Sequence, residues 1–137
     1  MLTLIKIIGR GPNVPEPEHL ALTEKAAVKK GVAYALKDGK LIPASDTLSL
    51  LPTYVAQRDE QETTAPLVYR ITEDMIFSVP LASEAAALID GEEYLFSADG
   101  QRLSSQKREG ALRGAILMDK RGAALPGDAV LVRFSRI

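Results

Sequence analysis

Val32-Ala33-Tyr34-Ala35-Leu36-Lys37-Asp38-Gly39-Lys40-Leu41-Ile42-Pro43 decides the fold class. Two short apolar runs flank Asp38-Gly39, and glycine supplies the positive φ that a tight hairpin turn demands. The stretch therefore reads as two antiparallel strands, Val32–Leu36 and Lys40–Pro43. A related pattern returns later in the chain. Gly31, Tyr34, Asp38-Gly39 and Ile42 are echoed by Gly91, Tyr94, Asp99-Gly100 and Leu103, with one residue inserted before the second Asp-Gly. Each unit is a Gly-led turn, a strand, a tight turn and a returning strand. Two units of one type suit a small barrel with pseudo-duplicated halves. Two similar hairpins also arise independently in β proteins, so the pattern alone leaves both readings open.

Outward from this hairpin, short apolar runs alternate with turn signals. Strands are expected at Ala26–Val28, Tyr54–Gln57, Leu67–Ile71 and Met75–Val79. The last two form a second hairpin about Thr72-Glu73-Asp74, ended by Pro80, which has no N–H for a ladder. Arg58–Ala65 is polar throughout and reads as an exposed loop. Ser83–Ile89 is a helix candidate: Ser83 caps it, Glu84 opposes the positive helix end, and Ala85–Leu88 are strong helix formers. Glu92–Ser97 and Gln101–Ser104 make a third hairpin. Ala111–Met118 and Ala129–Phe134 close the chain around the loop Lys120–Gly127. The expected fold is all-β, a small barrel or sandwich with one short helix and an extended N-terminal arm.

That arm occupies residues 1–19 and the barrel-like body residues 20–137. Met1–Ile8 is an apolar strand with Leu2, Leu4, Lys6 and Ile8 on one face and Thr3, Ile5 and Ile7 on the other. Both faces are mostly apolar, so the strand wants cover on both sides. The following Gly9-Arg-Gly-Pro-Asn-Val-Pro-Glu-Pro-Glu18 forbids helix and discourages central strand. A tethered apolar strand suits addition to a neighbour's sheet edge. Leu2, Leu4, Ile5, Ile7 and Ile8 are then the partner-binding anchors. The alternative is a strand that folds back into its own domain.

The composition of the 137 residues narrows the chemistry. Zero cysteines exclude disulfides, thiol catalysis and cysteine-containing metal sites, and a single histidine, His19, excludes multi-histidine sites. No metal, cofactor or catalytic residue is expected. His19 follows the proline-rich arm, a poor place to hold a general base. Glu73/Asp74 and Glu92/Glu93 are adjacent pairs, and neighbours on a strand diverge to opposite faces. Gly127-Asp128 before the last strand lacks the matching Ser and Lys of a self-cleaving dyad. Seventeen basic and eighteen acidic residues nearly cancel, so no nucleic-acid partner is expected. Lys25, Lys29 and Lys30 form the largest basic group. The apolar N-terminus is far shorter than a membrane span of ~20 residues.

The order of Lys30-Gly31-x-x-Tyr34, Lys37-Asp38-Gly39-Lys40-Leu41, an alanine run, Gly91-x-x-Tyr94 and a closing Gly127-Asp128-Ala129-Val130-Leu131-Val132-Arg133 resembles small phage head-decoration or capsid-cement proteins. The resemblance spans Leu20–Phe134 and rests on turn spacing and composition. It implies a non-enzymatic virion protein on the capsid exterior, made in the host cytoplasm. Its implied partners are the major capsid protein and its own copies, with a trimer favoured. Two alternatives stand beside it. One is another phage particle component, such as a head–tail or tail accessory protein. The other is a small ligand-binding barrel or enzyme, marked by a pocket in which Tyr34, Tyr69 or Tyr94 meets converging acidic residues.

Overall fold

The computed structural model of the chain describes residues 2–7, 16–43, 53–84, 86, 88–96, 101–107 and 114–134. Its strands are β1 (Thr3–Ile7), β2 (Glu18–His19), β3 (Ala26–Val28), β4 (Ala33–Lys37), β5 (Lys40–Pro43), β6 (Tyr54–Ala56), β7 (Glu60–Thr63), β8 (Leu67–Arg70), β9 (Met75–Pro80), β10 (Glu93–Phe96), β11 (Leu103–Lys107), β12 (Ala115–Asp119) and β13 (Ala129–Phe134). The fold is all-β. One sheet runs β2-β8-β6-β4-β5, a second runs β1-β9-β13-β12-β10-β11, and β3 pairs with β7 in a separate ribbon.

Without β1 the two large sheets have one topology. Substituting β9, β13, β12, β10 and β11 for β2, β8, β6, β4 and β5 reproduces the strand order. The registers agree as well. Tyr34 lies opposite Tyr54 and Tyr94 opposite Ala115, while Ala56 faces Val68 and Leu117 faces Val132. Each sheet also curls on itself at matching points. Leu22 bridges Leu41 and Leu81 bridges Leu103, both in parallel sense. Leu41 N–H donates to Ala21 O at 2.7 Å, and Ala82 N–H to Leu103 O at 2.9 Å. The chain is thus a tandem of two small barrels, and the repeat seen around Gly31 and Gly91 extends through both.

The barrel interiors follow the period-2 alternation of the strands. Val28, Tyr34, Leu41, Tyr54, Ala56 and Val68 fill the first, with Leu20, Leu22 and Val32 packed against them. Their counterparts Leu88, Tyr94, Leu103, Ala115, Leu117 and Val132 are buried in the second. Residues of opposite parity on the first barrel, Ala33, Val55 and Tyr69, join the second barrel's core cluster. The outside of one barrel is therefore packed against the other. The Gln101 amide fastens this contact, accepting from Ala33 N–H at 3.1 Å and donating to Ala33 O at 3.3 Å.

Several expectations are corrected. Ser83–Ile89 is not a helix: its described residues are irregular, because one and a half turns cannot repay helix nucleation. Leu67–Arg70 and Met75–Pro80 are not a hairpin. They enter different sheets, and the turn at Thr72–Asp74 is the joint between the barrels. Within the polar stretch 58–65, Glu60–Thr63 is a strand, held on Ala26–Val28. Glu18-His19 belongs to the first barrel, opposite Val68 and Leu67, so that barrel begins before residue 20. The turn at Asp99-Gly100 lies outside the described residues, although β10 and β11 pair as expected.

Candidate contact surface

The N-terminal strand folds onto its own chain. β1 runs antiparallel to β9, with Thr3 opposite Ser78, Leu4 opposite Phe77 and Ile7 opposite Met75. A register shift between Leu4 and Lys6 marks a bulge at Ile5. Such a bulge bends and twists an edge strand. Leu2 is buried in the shared core, and Leu4 is half-buried against it. Thr3 is exposed, and Ile5 is 46% exposed. Over Leu2–Ile5 the strand is covered on one face, not on both. Among the expected anchors, Leu2 and Leu4 hold the strand to the body, Ile5 faces solvent, Ile7 sits in the ladder, and Ile8 lies outside the described residues.

What β1 covers is a place where the barrels differ sharply. The ladder positions of Glu18, Leu36 and Arg70 in the first barrel correspond to Phe77, Phe96 and Phe134 in the second. The first set is exposed, and the second is buried. Phe134 meets Phe77 edge-on at 5.6 Å between centroids and stacks on Phe96 at 5.3 Å. All three phenylalanines of the chain are in this cluster. Each buries an apolar surface that stabilises the fold by about 1.5–3 kcal/mol. Leu4 lies directly across the ladder from Phe77, so the aromatic end of the second barrel is the seat of β1.

On its other side β1 reaches the first barrel, where Leu2 N–H donates to Gly31 O at 2.9 Å. A cavity of about 450 Å³ opens there, between Leu2, Thr3 and Leu4 on one wall and Lys30, Gly31, Ala56, Gln57 and Tyr69 on the other. Burial pushes the Tyr69 hydroxyl up to about 12, so it stays a protonated donor at neutral pH. Gln57 Oε1 is buried without a hydrogen-bond partner. The groups here are an amide, a phenol, an ammonium and the strand backbone. They suit polar contacts to another chain, and the cavity lining holds no acid–base pair.

A second cavity, of about 320 Å³, lies between Leu22–Ala27 and Val32, Tyr34 and Leu41. The Tyr34 hydroxyl is pushed up by burial, and further by the Glu60 carboxylate. Tyr94 accepts the Ile89 N–H at 2.8 Å in a turn of the second barrel. Tyr69 thus lines the first cavity, and Tyr34 lines the second together with Glu24. His19 donates from Nδ1 to Ala65 O at 2.8 Å, which ties β2 to the loop before β8. Asp128 accepts from Ala124 and Leu125 N–H, both at 3.0 Å. These bonds hold its carboxyl below its ordinary value and make the Gly127-Asp128 pair a loop clasp. Among the described residues, no group of three or more His, Cys, Asp or Glu side chains could hold a metal ion, and no helix is long and apolar enough to cross a membrane.

Sequence reasoning named the strand but missed its seat. Phe77, Phe96 and Phe134 are far apart in the chain, and only the ladder registers bring them together. The presence of all the phenylalanines in the second half was the one available signal. Compared with known proteins, the chain matches no protein-family model, no curated protein and no solved structure.

Proposed function

We propose that this chain is a structural protein that works by contact, with decoration of a phage capsid exterior as the setting its sequence resemblance implies. The observation that carries the reading is β1. It lies outside the duplicated unit, as the edge strand of the six-stranded sheet, where no second strand pairs with it among the described residues and Ile5 is exposed. Soluble proteins usually blunt such edges, because an open edge recruits further strands. Here the outer face of the edge strand carries an exposed isoleucine, and the adjoining groove offers Lys30, Gln57 and Tyr69. The two filled barrels supply a rigid base for that edge. The partners on this reading are a capsid shell and further copies of the chain.

The test is sedimentation. A tagged chain is expressed during phage production in the host, and particles are separated on a density gradient. Co-migration of the chain with intact particles, resistant to a wash in moderate salt, is the expected result. Recovery only in the soluble fractions would overturn the proposal.

A further inference from the structure

We infer that β1 is an exchangeable strand, and that its seat on β9 accepts the β1 of a second copy. Three observations carry this. First, β1 is not part of either barrel: the strand order of the second barrel is complete without it, and the first barrel has no counterpart to it among the described residues. Second, its seat is specific. The aromatic end made by Phe77, Phe96 and Phe134 occurs in the second barrel, while the matching positions of the first are Glu18, Leu36 and Arg70. A β1 strand would set Leu4 against Phe77 on the second barrel of any copy and Leu2 in the core between its barrels, whereas the matching edge of the first barrel presents Glu18 and Arg70. Third, the segment joining β1 to β2, Ile8-Gly9-Arg10-Gly11-Pro12-Asn13-Val14-Pro15, is rich in the residues that interrupt regular structure.

Exchange of an identical element creates no new interface, because the same ladder and the same buried leucines form between chains instead of within one. The occupant of the seat is therefore the strand Thr3–Ile7 of another copy. In a closed pair each chain gives one strand and receives one. In an open series the chains link head to tail. The inference deepens the contact reading. Its test uses the purified protein without any particle, so a failure here leaves the sedimentation result to decide that reading.

The chain has no cysteine, which makes strand exchange directly readable. Thr3 and Ser78 are ladder partners, and directly opposed strand residues lie ~4.5–5.5 Å apart, within reach of a disulfide. Full-length Thr3→Cys and Ser78→Cys chains, carrying tags of different mass, are unfolded together, refolded at high concentration and oxidised. Exchange predicts a covalent heterodimer far above the level given by Thr3→Cys mixed with Ser105→Cys, whose new thiol is exposed on β11. A heterodimer yield equal to that control would overturn the inference. A second measurement needs no variant. A labelled peptide of residues 1–8 is incubated with the wild-type chain under gentle warming. Capture that unlabelled peptide competes away, and that a scrambled peptide does not reproduce, supports exchange. Capture no greater than that of the scrambled peptide contradicts it.

Discussion

Gly31 and Gly91 hold the same left-handed backbone, with φ of 90° and 91°. Each is the third residue of a turn closed by the next residue: Val32 N–H donates to Lys29 O at 3.1 Å and Glu92 N–H to Ile89 O at 3.2 Å. Each then donates its own N–H to a neighbouring strand, Gly31 to Ala56 O and Gly91 to Leu117 O. The two glycines are thus the same joint in two barrels. A Cβ at Gly91 would meet nothing within 4 Å, so Gly91→Ala costs only the left-handed conformation, about 1–2 kcal/mol. Gly31 has the same φ but is buried, so chemical denaturation should show Gly31→Ala losing at least as much. Gly114 differs, because its Cβ would collide with the backbone carbonyl of Tyr94. Gly114→Ala should cost more than Gly91→Ala in the same experiment.

The aromatic end of the second barrel provides the sharpest contrast between the halves. Phe134→Ala removes one ring from both aromatic contacts and should destabilise by about 3–5 kcal/mol. Arg70→Ala, at the matching position of the first barrel, touches an exposed site and should stay within ~0.5 kcal/mol. Urea titration of both variants reads the difference. Equal losses would contradict the assignment of the Phe cluster as a core feature of one barrel.

Much of this fold is legible in the sequence where local chemistry decides it. Asp38-Gly39 has both residues at positive φ, 53° and 77°, as the turn signal between Leu36 and Lys40 demands. Val130, Val132 and Phe134 alternate inward along β13, and the whole strand is readable from that pattern. Apart from the helix too short to nucleate at Ser83–Ile89, the failures have one cause: strand partners are chosen over long distances. Thr72-Glu73-Asp74 is a real turn, with Met75 N–H bonded to Thr72 O at 3.2 Å. The strand before it is already flanked by β6 and β2, and the strand after it by β13 and β1, so they do not pair. Glu60–Thr63 carries no apolar signal because its ribbon with β3 lies mostly exposed, with Lys25 Nζ 3.6 Å from Glu62. For β1 the sequence reveals an apolar strand behind a Gly/Pro tether. It does not reveal the seat, whose three rings come from β9, β10 and β13.

The Asp128 clasp makes a pH prediction. Its carboxyl is lowered from 3.8, first by the Ala124 hydrogen bond and then by that from Leu125. A carboxylate lowered on folding contributes stability above its unfolded pKa and loses it as pH falls through the folded value. The amide shifts of Ala124 and Leu125, followed by NMR, should therefore titrate with a midpoint below 3.8. Asp128→Ala should abolish that titration and hasten exchange of both amides at neutral pH. A midpoint at the ordinary value would contradict the clasp.

Leu2 tests how firmly β1 is built into the body. It is 3% exposed and belongs to the cluster shared by both barrels. Leu2→Ala should cost about 2–5 kcal/mol, read as a lower denaturation midpoint. No loss of stability would mean that the strand is not seated in the shared core.

The contact reading turns most directly on Ile5, the exposed apolar residue on the outer face of β1. Ile5→Asp adds a charge where the side chain already meets water, so stability should change by no more than ~0.5 kcal/mol. The decisive measurement is the fraction of Ile5→Asp chain that co-migrates with intact particles on the density gradient, beside wild type. The account predicts an unchanged denaturation midpoint with most of the particle-bound chain lost to the soluble fractions. Undiminished co-migration of the Ile5→Asp chain would contradict it.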